Sequence, residues 1–197
     1  MTSEADVDAV VALKPDAIGF VFWPQSKRAV KPEDVAVWTR DIPVTIRRVG
    51  VFVDMLPEDI LRTMELANVE IAQLHGAEQH SDFVNFPRPI WRAVRIPRGG
   101  TAIPPAGWSV AAYLVDTYSK GAPGGTGEVG DWKLAREFVN RAMKPVLLAG
   151  GLTPENVREA LNVVKPWGVD VSSGVESEPG KKDIQKVKRF IEQCRVE

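Results

Sequence analysis

Apolar positions along this chain follow two alternating patterns. Short runs with apolar residues on consecutive positions (AIGFVF, RVGVFV, IAQL, IWRAV, AYLV, VLLA and GVDV) are separated by longer stretches where apolar residues return every three or four positions. Runs of the first kind read as strands covered on both faces, the pattern of a buried parallel sheet. The second kind reads as amphipathic helices packed on such a sheet. The spacing predicts strands at 17–22, 48–53, 71–74, 90–94, 112–115, 146–149 and 169–171.

Helices are predicted between them. The first begins almost at residue 1, with Thr2 or Ser3 as cap and Val7, Val10 and Val11 on one face. Others cover 32–40, 57–67 (Ile60, Leu61 and Met64 inward), 131–143 and 183–194 (Ile184, Val187, Phe190 and Ile191). Thr153 as N-cap and Pro154 at the first helical position open a helix whose stripe is Val157, Ala160, Leu161 and Val164. A short helical piece falls at 79–86, and the Pro/Gly-rich segment 97–109 gives only weak helix signals.

Seven strands, nearly every one followed by a helix at a spacing of roughly 20–35 residues, argue for an all-parallel α/β fold in one domain covering 1–197. Two architectures meet that description, a doubly wound open sheet and a (β/α)8 barrel. The stretch 144–180 favours the barrel. Its two last strands run into Gly150-Gly151 and Ser172-Ser173-Gly174, and anion-binding loops after the last two strands are a habit of that fold. Glycines there let backbone N–H groups approach a phosphate, and a following helix N-terminus adds partial positive charge. A barrel that opens on a helix lacks its first strand. The expectation is therefore a TIM-barrel type with strand 1 missing from the sequence, N-terminally truncated, with seven parallel strands.

Composition narrows the functional classes. With 197 residues, 44% hydrophobic and 26% charged, the chain is ordinary for a globular protein, and a formal net charge of −1 gives nucleic acid or an anionic membrane no handle. No apolar run is long enough to span a bilayer and no signal-peptide pattern opens the chain, so a cytoplasmic setting is expected. One cysteine and two histidines rule out an internal disulfide and make no zinc site.

In a barrel the residues that follow each strand face the substrate. Here they are Trp23 and Arg28, Asp54, His75, Arg95, Asp116, Gly150-Gly151 and Ser172-Ser173. Asp116 can serve as a general acid or base, or merely order a loop. The Arg28 fork suits a carboxylate, although beside Lys27 it also reads as a solvated surface residue. His75 can polarise a substrate oxygen or bond a neighbouring loop. Asp170 near the end of the last strand reads as a supporting group. The cluster Gly124-Gly125-Thr126-Gly127 is a lid, an anion nest or a plain flexible loop. Cys194, on the last helix with no histidine nearby in sequence, reads as a structural thiol.

Six stretches in order, DAIGFVFWPQSKRAV, RVGVFVD, IAQLHG, LVDTYSKGAPGGTGEVGDW, PVLLAGGLTPENV and GVDVSSGVESEPGKKD, resemble phosphoribosylanthranilate isomerase of tryptophan biosynthesis. The resemblance implies a (β/α)8 barrel without metal or organic cofactor, a small phosphoribosyl substrate, no nucleic acid or membrane partner, and a monomer or homodimer. It implies Asp116 as general acid and Arg28 as clamp for the anthranilate carboxylate. Gly150, Gly151, Ser172, Ser173 and Gly174 would cradle the ribose phosphate, with His75 and Asp170 in support. The family opens with a K-I-C-G strand whose cysteine is the general base, and this sequence has no such segment; MTSEADVDAVVAL looks like the text that follows it. Two functional expectations result: the isomerase itself, written in shortened form, or a phosphosugar-binding remnant impaired by loss of the base. A sheet with two bare edges is also exposed to instability or self-association.

Overall fold

The computed structural model describes residues 1–96, 100–117 and 131–195. All seven expected strands are present: β1 (Ala17–Val21), β2 (Arg47–Phe52), β3 (Ile71–Leu74), β4 (Ile90–Arg95), β5 (Ala112–Asp116), β6 (Val146–Ala149) and β7 (Gly168–Val169). They form one sheet in chain order, and every neighbouring pair is parallel. The fold is thus α/β of the barrel type with seven parallel strands. Among the described residues, neither β1 nor β7 has a second neighbouring strand, so the sheet ends in two edges, the β1 edge touched by a single bridge from Val21 to Ala29.

The helices are α1 (Glu4–Val11), α2 (Pro32–Trp38), α3 (Pro57–Leu66), α4 (Trp132–Arg141), α5 (Val157–Val164) and α6 (Ile184–Arg195). Their starts follow local chemistry. The Ser3 hydroxyl accepts the Asp6 N–H at 3.2 Å, proline opens α2 and α3, and Asp131 Oδ1 accepts the Leu134 N–H at 3.1 Å. No described helix is long and apolar enough to cross a membrane.

The observed elements depart from the pattern in four places. The piece at 79–86 shrinks to a 3-10 turn, His80–Phe83. Thr153 does not cap α5. Its hydroxyl accepts from Glu155 N and its own N–H donates to Asn156 Oδ1, which closes a turn and moves the cap to Asn156. The last strand ends at Val169, although the Asp170 N–H still reaches the Leu148 carbonyl at 2.8 Å, and a 3-10 turn follows at Ser173–Val175. A small antiparallel hairpin of β8 (Glu176–Glu178) and β9 (Lys181–Lys182) was not foreseen.

Side chains alternate across the sheet, as a pleated strand requires. Phe20, Phe52, Leu74, Val115 and Leu148 face the helices and join Val35, Ile60, Phe138 and Val157 in the main core. Each such fully buried side chain contributes roughly 1.5–3 kcal/mol. Ala93, Ala112, Leu114, Leu147 and Ala149 face the barrel interior, and this second cluster is confined to β4, β5 and β6. The interior faces of β1, β2 and β7 meet open space instead, in a cavity of about 920 Å³ that includes Ala17, Gly19, Val49, Val51 and Val169 in its wall. On β1 the Gly19 carbonyl accepts the Met1 amino group at 2.7 Å.

Candidate functional site

The C-terminal ends of the parallel strands hold the chemistry, in three connected groups. The first centres on Asp116, the last residue of β5. Parallel pairing sets it level with Arg95 of β4 and Ala149 of β6. His75 follows β3, and its Nε2 lies 3.5 Å from Asp116 Oδ2. The other ring nitrogen, Nδ1, is 3.3 Å from the side-chain nitrogen of Gln73, a buried residue two positions back on the same face. Asp170, just past β7, lies near the same pair. The residue is exposed on the open cavity, and desolvation by the surrounding wall raises its pKa against the smaller opposing pull of His75 and Lys182.

The second group surrounds Glu176. Arg28 donates Nε to Oε1 at 2.8 Å and Nη2 to Oε2 at 2.6 Å, a fork on a carboxylate. Lys182 Nζ reaches Oε1 at 3.1 Å and the Ser172 carbonyl at 3.1 Å. Lys186 Nζ takes the Glu176 carbonyl at 3.1 Å. Burial works to raise the Glu176 carboxyl, but the hydrogen bond from Arg28 and the charge of Lys182 outweigh it and hold it below the usual range. The same bond raises the Arg28 guanidinium further. Arg28 is therefore ordered within the molecule, with 28% of its side chain still exposed.

The third group is the pair of loops after β6 and β7. Gly150 and Gly151 have φ of 91° and 68°, in the left-handed region that glycine tolerates. Gly151 has nothing within 4 Å of where a Cβ would stand, whereas a Cβ on Gly174 would collide with the Leu152 carbonyl. The two loops meet there, and only glycine permits the approach. Asn156 Nδ2 holds the Gly151 carbonyl at 3.0 Å. Ser172 and Ser173 are exposed, and their hydroxyls make no hydrogen bond among the described residues. The Thr117 hydroxyl donates to the Ala149 carbonyl at 3.2 Å, linking the Asp116 strand to this region.

Arg28, His75, Asp170 and Ser172 share the cavity wall, and Asp116 joins them through His75. Asp54, at the end of β2, is drawn elsewhere: its carboxylate accepts the Ala77 N–H at 2.6 Å and braces the loop that carries His75. The Gly124–Gly127 cluster lies outside the described residues. Cys194 lines the same cavity from α6, and burial pushes its thiol up to about 11. Among the described residues no cluster of three or more histidine, cysteine or carboxylate groups is arranged to hold a metal.

Glu176, Gln73 and Lys182 were missed in the sequence. Gln73 had a readable signal, as the only polar residue in the otherwise apolar strand IAQL. Glu176 and Lys182 had none, because their hairpin reads as an ordinary charged loop.

The arrangement of an acid beside an imidazole, an ordered guanidinium and a glycine-rich double loop suits proton transfer on a phosphorylated substrate. Comparisons with known proteins agree with that chemistry. Residues 1–193 match the family model described as N-(5'phosphoribosyl)anthranilate (PRA) isomerase. A relative from Magnetococcus marinus named N-(5'-phosphoribosyl)anthranilate isomerase is 43% identical over 195 residues, which is 99% of this chain and 92% of the relative. One from Chromohalobacter salexigens with the same name is 42% identical over 98% of this chain and 90% of its own. A solved phosphoribosyl anthranilate isomerase from Thermotoga maritima superposes with a TM-score of 0.85 at 36% identity, covering 99% of this chain and 95% of that one. Another, solved with reduced 1-(o-carboxyphenylamino)-1-deoxyribulose 5-phosphate, gives 0.84 at 35% identity over the same shares.

Proposed function

The chain belongs to the N-(5'-phosphoribosyl)anthranilate isomerase family, and from that premise we propose how its residues divide the reaction. The activity is isomerisation of N-(5-phosphoribosyl)anthranilate to 1-(2-carboxyphenylamino)-1-deoxyribulose 5-phosphate, a step of tryptophan biosynthesis. The family match across residues 1–193 carries this reading.

Asp116 gives a proton to the ribose ring oxygen. The C1–O bond breaks and the anthranilate nitrogen lone pair forms the C1=N bond. A base removes the C2 proton, those electrons form C1=C2 and the nitrogen regains its pair. The enolamine then takes a proton at C1 with the C1=C2 electrons while its C2 hydroxyl gives up its proton, which leaves the C2 ketone. Gly150, Gly151, Ser172, Ser173 and Gly174 hold the phosphate through backbone N–H groups and free hydroxyls, with the Lys182 charge close by. Arg28, oriented by Glu176, presents its exposed part to the substrate carboxylate. His75 and Asp170 support the acid.

The resemblance assigns the base to a cysteine in a strand preceding this sequence. Cys194 is a poor substitute: with its thiol near 11, only about one molecule in ten thousand is a thiolate at pH 7. The open edges of β1 and β7 and the cavity between them give a further parallel strand its place. The test compares the 197-residue chain with a version extended at Met1 by a strand of the K-I-C-G type, in an assay coupled to the next pathway enzyme. Turnover by the extended chain, lost on Asp116→Asn, is expected. An extended chain that folds, keeps Asp116 and Arg28, and remains inert would overturn the reading. Binding of the reduced product analogue by the 197-residue form without turnover would identify it as impaired only in the base step. The setting is cytoplasmic, and the assembly is a monomer or homodimer that light scattering distinguishes; one Thermotoga maritima relative is described as dimeric.

A further inference from the structure

The backbone around His75 is anchored on both sides by one ion pair. Arg92 donates to the Leu74 carbonyl at 3.0 Å and the Gly76 carbonyl at 3.1 Å, and its partner Glu78 accepts the Gly76 N–H at 3.0 Å. Arg92 and Glu78 themselves pair at 2.9 Å, with side chains only 12% and 2% exposed. The His75 N–H is held by the Phe52 carbonyl at 2.9 Å. These bonds fix where the ring hangs. They leave undecided which ring nitrogen carries the proton and whether the ring is charged. Among the described residues, two side chains reach its nitrogens: Asp116 Oδ2 at 3.5 Å from Nε2, and the Gln73 amide at 3.3 Å from Nδ1.

We propose that Gln73 is a positioning residue for the acid: its amide N–H donates to His75 Nδ1, which keeps the imidazole neutral and turns Nε2–H towards Asp116. The argument rests on Asp116 being the acid. A carboxylate accepts and cannot donate, so an ionised Asp116 demands a proton on Nε2. In a neutral ring Nδ1 is then a bare lone pair, which needs a donor where Gln73 stands buried. A donor at Nδ1 also opposes its protonation. That matters because an imidazolium beside Asp116 would hold it as carboxylate, with no proton for the ring oxygen. A neutral Nε2–H instead stabilises the carboxylate that appears as the proton leaves. Gln73 is the group that discriminates between the two ring nitrogens.

His75 and His80 are the only histidines, so 15N-histidine labelling gives two ring systems, assigned with His75→Asn. The wild-type protein at pH 7 should show His75 with a bare Nδ1 and a protonated Nε2. Gln73→Met, close in volume and without a donor, should give averaged shifts from both tautomers. Gln73→Glu, which offers an acceptor in place of the donor, should move the proton to Nδ1. In the form that turns over, Gln73→Met should lower kcat about tenfold, the scale of one lost orienting hydrogen bond, with KM within about twofold. A protonated Nδ1 in the wild-type protein, or identical shifts in Gln73→Met, would overturn the proposal. Turnover retained by Asp116→Asn would defeat the acid assignment while leaving the tautomer result standing, so the two failures are separable.

Discussion

Replacing Glu176 by glutamine keeps the shape of the side chain and removes the charge on which two cations, Arg28 and Lys182, converge. The carboxylate is 4% exposed and accepts Arg28 twice and Lys182 once, while its backbone carbonyl takes Lys186. An amide at this position turns an N–H₂ group towards at least one of the cations. Lys182, with a side chain only 9% exposed, keeps its Ser172 carbonyl but loses its counter-ion. Breaking a buried pair from one side costs about 3–5 kcal/mol, and an exposed pair under about 1 kcal/mol. Arg28 can turn part of its guanidinium to water, so the lower end applies, about 3 kcal/mol, or roughly 6–12 °C in Tm for a domain of this size. Urea unfolding followed by tryptophan fluorescence measures it. The pH dependence provides an independent check. The folded-state pKa of Glu176 is depressed, so its stabilisation is present above the ordinary carboxylate range and is lost as pH falls through the folded value. Glu176→Gln should therefore flatten the acid limb of the stability curve. With Arg28 no longer oriented, KM should rise about tenfold while kcat changes less. A loss below about 1 kcal/mol with an unchanged acid limb would refute the view that Glu176 is the hub that orders Arg28.

Other outcomes follow from the same geometry. Gly174→Ala places a Cβ against the Leu152 carbonyl, so inorganic phosphate or product-analogue affinity should fall at least tenfold in calorimetry, with a stability loss of about 1–3 kcal/mol. In the extended form that turns over, Asp116→Asn should lower kcat by roughly 10²–10⁴ with KM nearly unchanged, read from steady-state kinetics. Asp170 behaves oppositely to Glu176. Its pKa is raised on folding, so the folded state favours the protonated form, and that contribution is lost as pH rises through the folded value. Asp170→Asn should thus unfold at higher urea than wild type at pH 7 and match it near pH 3.

The sheet was legible because each strand is apolar on both faces, a pattern that survives without any knowledge of neighbours. IAQL and VLLA were bounded to the residue, since flanking polar or glycine residues stop them sharply. Boundaries slipped where a side chain chose between two local bonds. Thr153 satisfied a turn instead of a helix end, and nothing in TPEN ranks those choices. The candidate site divided along the same line. Strand-end residues such as Asp116, His75 and the paired glycines can be listed from position alone. Their partners cannot, because Glu176 reaches Arg28 across 148 residues of sequence. Gln73 lay between these cases: polar within a buried strand, it signalled that something needed a hydrogen bond, without saying what.

The sheet has two edges and an open cavity between them. Stability is concentrated between sheet and helices, where Phe20, Phe52, Leu74, Val115, Phe138 and Leu148 pack on one another whether or not the barrel closes. The interior cluster covers only β4 to β6, and most interior residues of β1, β2 and β7, Ala17, Gly19, Val51 and Val169 among them, stand half-buried around about 920 Å³ of space. Exposed apolar wall and a largely unpaired ladder both favour a further strand there, through burial at roughly 25 cal/mol per Å² and through hydrogen bonds along an edge where Gly19 now meets the Met1 amine and Val21 the Val30 N–H. The same strand would end beside Arg28, His75 and Asp170, because parallel strands deliver their last residues to one rim. Structural completion and chemical completion are therefore one event in this fold. Under the proposed division of roles, a residue at the top of that strand would face C2 of a sugar whose phosphate sits at the loops carrying Gly151 and Gly174.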